Sequence, residues 1–92
     1  MKTIFKYELE IKDKQTLELP LDHRILSVQN QNGKLCLWAA VESEDTFKTN
    51  RTFRVFGTGN TDDDLEFYFG GDMEYISTVQ LQFLVLHIFV EI

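Results

Sequence analysis

Phosphate chemistry is the first that the residues suggest. Gly57-Thr58-Gly59-Asn60 follows a stretch carrying Arg51 and Arg54, with Lys48 just upstream. Exposed amides in a glycine-rich corner can form a nest for anions, and guanidinium groups grip phosphate oxygens in pairs. Lys48, Arg51, Arg54, Gly57, Thr58, Gly59 and Asn60 therefore make up the candidate site for a small anionic ligand. No Lys-Ser pair and no helical pattern follow the glycines, so this is neither a P-loop nor a dinucleotide fingerprint. A plain corner between strands accounts for the same glycines.

The second candidate is a surface for protein binding. Asp62-Asp63-Asp64 and Glu66 form a dense acidic run, joined by Asp72 and Glu74, and Leu65-Glu66-Phe67-Tyr68-Phe69 brings three aromatics behind it. Aromatic side chains are enriched at the centres of interfaces. Asp62, Asp63, Asp64, Glu66, Phe67 and Phe69 are the candidate interaction residues, either for a protein partner or as an imitation of nucleic acid. The plain alternative is a solvated acidic loop before a short core strand. A calcium loop alternates its ligands around a bend glycine and ends on a distal glutamate, a spacing this run lacks.

Catalytic machinery is not legible. The chain has two histidines, His23 and His87, and one cysteine, Cys36. Cys36 stands among leucines and Trp38, where a neutral buried thiol is the rule. His87 stands between Leu86 and Ile88 and reads as a core or interface imidazole. His23, in the polar stretch Asp22-His23-Arg24, reads as exposed. No nucleophile elbow and no zinc spacing is present. The expectation is a protein that is not an enzyme and uses neither cofactor nor metal.

The elements that must hold these residues are strands. Thr3, Phe5, Tyr7, Leu9 and Ile11 alternate with Lys6, Glu8, Glu10 and Lys12, the period of a strand with one wet face. Thr16 to Leu19 resumes the alternation until Pro20 closes it. Ile25 to Gln31 and Leu35 to Val41 flank Asn32-Gly33, which supplies the positive φ angles of a tight hairpin turn. Arg51 to Phe56, Leu65 to Phe69, Tyr75 to Leu81 and Phe83 to Ile92 complete the set. The Leu35 and Phe83 strands are apolar on both faces and belong in central positions; burial of one outer face in a homo-oligomer is the alternative. The reading is a single all-β domain over 1–92, an antiparallel β-sandwich or small barrel of seven to eight strands.

Bulk composition agrees. With 43% hydrophobic residues and eight Phe among 92 residues, the chain can bury a core without metal or disulfide. Its net charge of −6 disfavours direct binding to nucleic acid, which rests on basic side chains displacing counterions. Met1 to Lys6 lacks the apolar stretch of a signal peptide, and Phe83 to Val90 is about half a membrane-spanning helix. No membrane association is expected, and a lone cysteine fits a reducing cytoplasm.

Several stretches carry a resemblance. They are Lys6-Tyr7-Glu8-Leu9, Ile25-Leu26-Ser27-Val28-Gln29, Leu37-Trp38-Ala39, Phe53-Arg54-Val55-Phe56-Gly57-Thr58-Gly59, Tyr75-Ile76-Ser77-Thr78-Val79-Gln80-Leu81 and Leu86-His87-Ile88-Phe89. As a set they resemble a small all-β domain family of unknown function from tailed phages and prophages. Asn60 stands where members commonly carry histidine, and Asp62 to Glu74 is longer than the family pattern. The resemblance implies a phage or prophage origin and a cytoplasmic life in a bacterium, and it implies no activity. The functional expectation is a binding protein, in the first instance a counter-defence protein sequestering a small nucleotide-like anion. The alternatives are an acidic interaction module or DNA mimic that blocks a host protein, and a virion or assembly accessory.

Overall fold

Alternating side chains build strands, and the backbone decides where they reverse. The structure, a computed structural model, describes residues 1–92. Its strands are β1 (Lys2–Leu9), β2 (Lys14–Pro20), β3 (His23–Gln31), β4 (Lys34–Glu42), β5 (Lys48–Gly57), β6 (Met73–Leu81) and β7 (Leu84–Glu91). A 3-10 turn (Asp63–Leu65) and one turn of helix, α1 (Glu66–Phe69), lie between β5 and β6. One sheet has the order β1-β4-β3 and the other β2-β5-β7-β6, with every neighbouring pair antiparallel. The fold is the expected all-β sandwich, with seven strands.

The β3–β4 hairpin turns where Asn-Gly dictates. Asn32 has φ 55° and Gly33 φ 82°, and Gln31 pairs with Lys34 across them. Asn30 Oδ1 caps the turn by accepting from the Gly33 amide at 2.9 Å. The β6–β7 hairpin closes just as tightly, with Leu81 opposite Leu84 and Gln82 at φ 53°. Phe83 therefore sits at the tip of a turn, fully exposed, and the last strand starts at Leu84 rather than Phe83.

The sheets face each other through one alternating set. Leu9, Leu35, Leu37 and Val28 from the first sheet meet Phe53, Val55, Val79, Leu81, Leu86, Ile88 and Val90 from the second. Val28, Leu37, Phe53 and Ile88 have no exposed surface. Each such side chain contributes about 1.5–3 kcal/mol by leaving water. The two strands that are apolar on both faces are indeed interior, β4 between β1 and β3, and β7 between β5 and β6.

Their outer faces are covered by different means. Over β4, Lys6 of β1 donates to Gln31 of β3 at 2.8 Å, a span whose register carries it across the Cys36 position. Cys36 is buried, as expected. Over β7, the 3-10 turn and α1 lie on the sheet, and Leu65 packs on Phe56, Met73 and Phe89.

That covering segment corrects the expectation of a strand from Leu65 to Phe69. The Asp62 carboxylate accepts from the Asp64 amide at 2.9 Å and starts the turn. At the other end Asp72 N–H reaches Phe67 O and Gly71 N–H reaches Tyr68 O, with Gly71 at φ 85°. This is a Schellman termination, which helices use and strands do not. Ile11 differs too: β1 ends at Leu9, and Ile11 lies in the following bend, 54% exposed, instead of continuing the inner face.

Candidate functional site

Residues three apart on a strand point to opposite sides of its sheet. That rule separates the two arginines of the anion candidate. Arg54 projects from the outer face of β5 and Arg51 from the inner face. Lys48 shares the outer face with Arg54 but lies six positions away, about 20 Å along the strand. The structure does not bring Lys48, Arg51, Arg54 and the glycine corner into one site.

Arg54 is occupied by its own chain. Its Nη2 donates to Asp64 at 2.5 Å, its Nη1 to Glu91 at 3.5 Å and its Nε to the Asp13 carbonyl at 3.3 Å. The guanidinium carbon lies 5.6 Å from the centre of the Phe56 ring. Only 6% of the side chain is exposed. Arg54 thus ties the 3-10 turn, the end of β7 and the β1–β2 bend to one point. It is a fastening and not a free cation.

The glycine corner is also largely closed on itself. Thr58 N–H donates to Val85 O and Asn60 N–H to Gly57 O, both at 3.2 Å. The Asn60 side chain closes over Gly57, where a Cβ would lie 2.6 Å from its amide nitrogen and push it aside. Thr58 instead turns to His87, whose Nε2 lies 2.6 Å from the Thr58 hydroxyl. His87 Nδ1 is 2.9 Å from the Thr78 hydroxyl, which is 2.6 Å from the Tyr75 hydroxyl. This chain of polar groups crosses the outer face of the second sheet and orients the half-buried imidazole. Sequence reading placed His87 in the core or an interface and did not join it to the corner.

The acidic and aromatic candidates come together around α1. Phe69 is 79% exposed and Phe67 48%, although both stand on a helical turn fixed from beneath. The fixing contacts are the Arg54–Asp64 pair and the Tyr68 ring, 5.1 Å from Phe89 at an edge-to-face angle of 67°. Phe67 borders a groove of about 510 Å³ that also holds Asp64, Asp72, Glu91, Lys14 and Arg54. Asp62 caps the turn, while Asp63 and Glu66 stay near the solvent. No three metal-capable side chains converge, here or elsewhere.

One signal for this surface was available in the chain itself. After Arg54 there is no lysine or arginine, while Asp62, Asp63, Asp64, Glu66, Asp72, Glu74 and Glu91 all follow it. The negative charge is therefore carried by the segment that forms α1 and its surroundings.

Fold and surface together define a two-sheet β-sandwich bearing an aromatic turn with an acidic border. The chain belongs to the family described as Domain of unknown function (DUF7352), whose pattern matches residues 1–92. No curated protein and no solved structure matches it. No helix of the chain is long and apolar enough to cross a membrane.

Proposed function

We propose that this domain is a non-enzymatic binding protein of phage or prophage origin that acts in the bacterial cytoplasm on a basic host protein. It docks through α1: Phe67 and Phe69 supply apolar anchors, and the groove beside them receives a lysine or arginine of the partner. The observation that carries this reading is the pair of exposed phenylalanines on a fastened turn. An aromatic side chain has few rotatable bonds, and on a backbone turn that is already fastened it loses less freedom on binding than on a loose loop. Of the carboxylates lining the groove next to Phe67, Asp64 and Glu91 pair with Arg54 and Asp72 has no ion-pair partner, so a cation entering it meets the Asp72 carboxylate and an aromatic ring. Surfaces that read nucleic acid have the complementary charge, so a nucleic-acid-binding host protein fits best.

Sequestration of a small nucleotide-like anion at the glycine corner has less support, because Arg54 already faces two carboxylates. Capture from host lysate tests the docking reading. The wild-type domain should retain a protein of basic isoelectric point, released by salt. Phe67→Ser with Phe69→Ser, and separately Asp63→Asn with Glu66→Gln and Asp72→Asn, should lose it. Retention of the same protein by both variants would overturn the proposal.

A further inference from the structure

Two open sheets leave their outermost strands unpaired on one side, and this fold covers only β3 and β6. These strands belong to different sheets, and each carries a register shift, between Ile25 and Ser27 and between Tyr75 and Ser77. Val28 N–H donates to Ser77 Oγ at 3.0 Å and Asn30 Nδ2 to Gln80 O at 3.1 Å, which ties them into a seam. His23, at the start of β3, also reaches β5, its Nε2 2.9 Å from Arg51 Nη1. The edges left free are β1 and β2.

The ladder between β1 and β4 fixes which groups of β1 are free. Ser43 N–H donates to Met1 O at 2.9 Å, one step beyond the Lys2–Glu42 pair. Hydrogen-bonded pairs alternate along an antiparallel ladder, so Thr3, Phe5, Tyr7 and Leu9 bond to β4. The amides and carbonyls of Lys2, Ile4, Lys6 and Glu8 point the other way, and β1 has no second neighbouring strand. Glu10, next in that series, exchanges both bonds with the Gln15 side chain, at 2.9 and 2.7 Å. Gln15 imitates a neighbouring strand at that one position and leaves the rest of the edge open. Ile4 is 58% exposed on one face of this edge and Phe5 42% exposed on the other. β2 differs: Lys14, Thr16 and Glu18 line its outer face, Pro20 ends it, and no large apolar side chain stands exposed on it.

We infer that β1 pairs antiparallel with β1 of a second copy, which joins the two three-stranded sheets into one. The charges select the register. With Phe5 opposite its own counterpart, Lys2 faces Glu8 of the second copy and Ile4 faces the stem of Lys6, and every free edge group finds a partner. A shift of two residues one way sets Lys2 against Lys6, and the other way sets Lys6 against Lys6. Like charges directly opposite are destabilising, so one register is favoured. Edge lysines ordinarily discourage pairing. Here Lys6 is drawn across its own sheet to Gln31 at 2.8 Å, and Lys2 leans on Asp22. Glu8 has only the exposed Lys34, at 3.6 Å. Such surface pairs are weak and exchange readily for a Lys2–Glu8 pair between copies. A two-fold contact uses the same patch on both subunits, so it closes at a dimer and does not grow. It lies on the sheet that does not carry α1 and is independent of the docking reading.

Sedimentation equilibrium tests this on the whole chain. Edge pairing buries a small area, so a dimer with a Kd of about 10–100 μM is expected. Lys2→Glu and Glu8→Lys should each weaken self-association about tenfold, since each sets like charges opposite at both ends of the contact. An equimolar mixture of these two variants should recover it, because each supplies the charge that the other lacks. Ile4→Pro removes an amide that bonds nothing inside the protomer and should leave a monomer. Melting curves report whether each variant is folded, and should Ile4→Pro fail to fold, the mixture decides alone. Monomer mass throughout, up to about 1 mM protein, would overturn the inference. So would a mixture no tighter than its two components, or a dimer abolished by Thr16→Pro on β2 and indifferent to Ile4→Pro.

Discussion

Arg54 and Asp64 form a 2.5 Å ion pair that joins the outer face of β5 to the turn preceding α1. The arginine end is 6% exposed and the aspartate end 47%, so the pair sits at a boundary between core and water. This geometry makes Arg54 depend on its partner, because a guanidinium removed from water needs compensation. It also sets the position of Leu65, Tyr68 and the two exposed phenylalanines that follow.

Asp64→Asn should accordingly destabilise the domain by about 1–2 kcal/mol, the range for a charge-assisted hydrogen bond discounted for partial exposure. Urea unfolding would show a lower midpoint with an unchanged slope. Hydrogen exchange should accelerate at the Gly70 to Asp72 amides more than in β7. Glu91→Gln, at the longer contact of 3.5 Å, should cost less.

The Asn32-Gly33 turn allows a clean test of backbone strain. Nothing lies within 4 Å of a Cβ built on Gly33, so Gly33→Ala meets no steric obstacle. Its cost is conformational alone, about 1–2 kcal/mol for an L-residue held at positive φ. Gly33→Asn should cost less, because asparagine tolerates that region. Equal midpoints for the three proteins would contradict the turn geometry.

Core and surface phenylalanines should behave oppositely. Phe53 is completely buried, and Phe53→Ala should cost about 3–5 kcal/mol, a large share of a small domain's stability. Phe69→Ser and Phe83→Ser, at 79% and 100% exposure, should each stay within about 0.5 kcal/mol of wild type. Thermal or chemical unfolding distinguishes these classes. The surface variants then remain folded for binding measurements.

Acid should weaken a specific loop contact. The Asp45 carboxylate accepts from the Asp22 amide at 3.0 Å and the Phe47 amide at 3.1 Å, clipping the β2–β3 turn to the β4–β5 loop. These backbone donors, that of Asp22 first, hold its carboxyl below the ordinary carboxylate value. The folded-state value is thus the lower one. Its stabilisation is complete above the unfolded value of about 4 and is lost as pH falls through the folded value. Wild type should exceed Asp45→Ala in stability at neutral pH, and the gap should close on acidification through that window. A gap that stays constant with pH would contradict the clip.

The fold was legible because the chain alternates cleanly. Asn32-Gly33 fixed one hairpin, and the double-sided apolar patterns of Leu35 to Val41 and Phe83 to Ile92 marked the interior strands. The segment from Leu65 to Phe69 was not legible by the same rule, since consecutive aromatics suit a strand as well as a turn of helix. The informative residues were outside it: Asp62 as a cap and Gly71 as the left-handed terminator. The anion candidate failed to assemble for a related reason. Arg51 and Arg54 look adjacent in the chain, but a spacing of three places them on opposite faces. Pairing of bulges in β3 and β6 has no local signature, and the contact of His23 with Arg51 could be seen only after the sheets were packed.

The docking face is tested most directly by mapping it. The captured basic host protein, purified and added to ¹⁵N-labelled domain, should shift resonances from Asp63 to Asp72 and at Glu91. It should leave the outer face of the β1-β4-β3 sheet unchanged. Shifts centred on Lys6, Gln31 and Trp38, with Phe67 and Phe69 unmoved, would contradict the account.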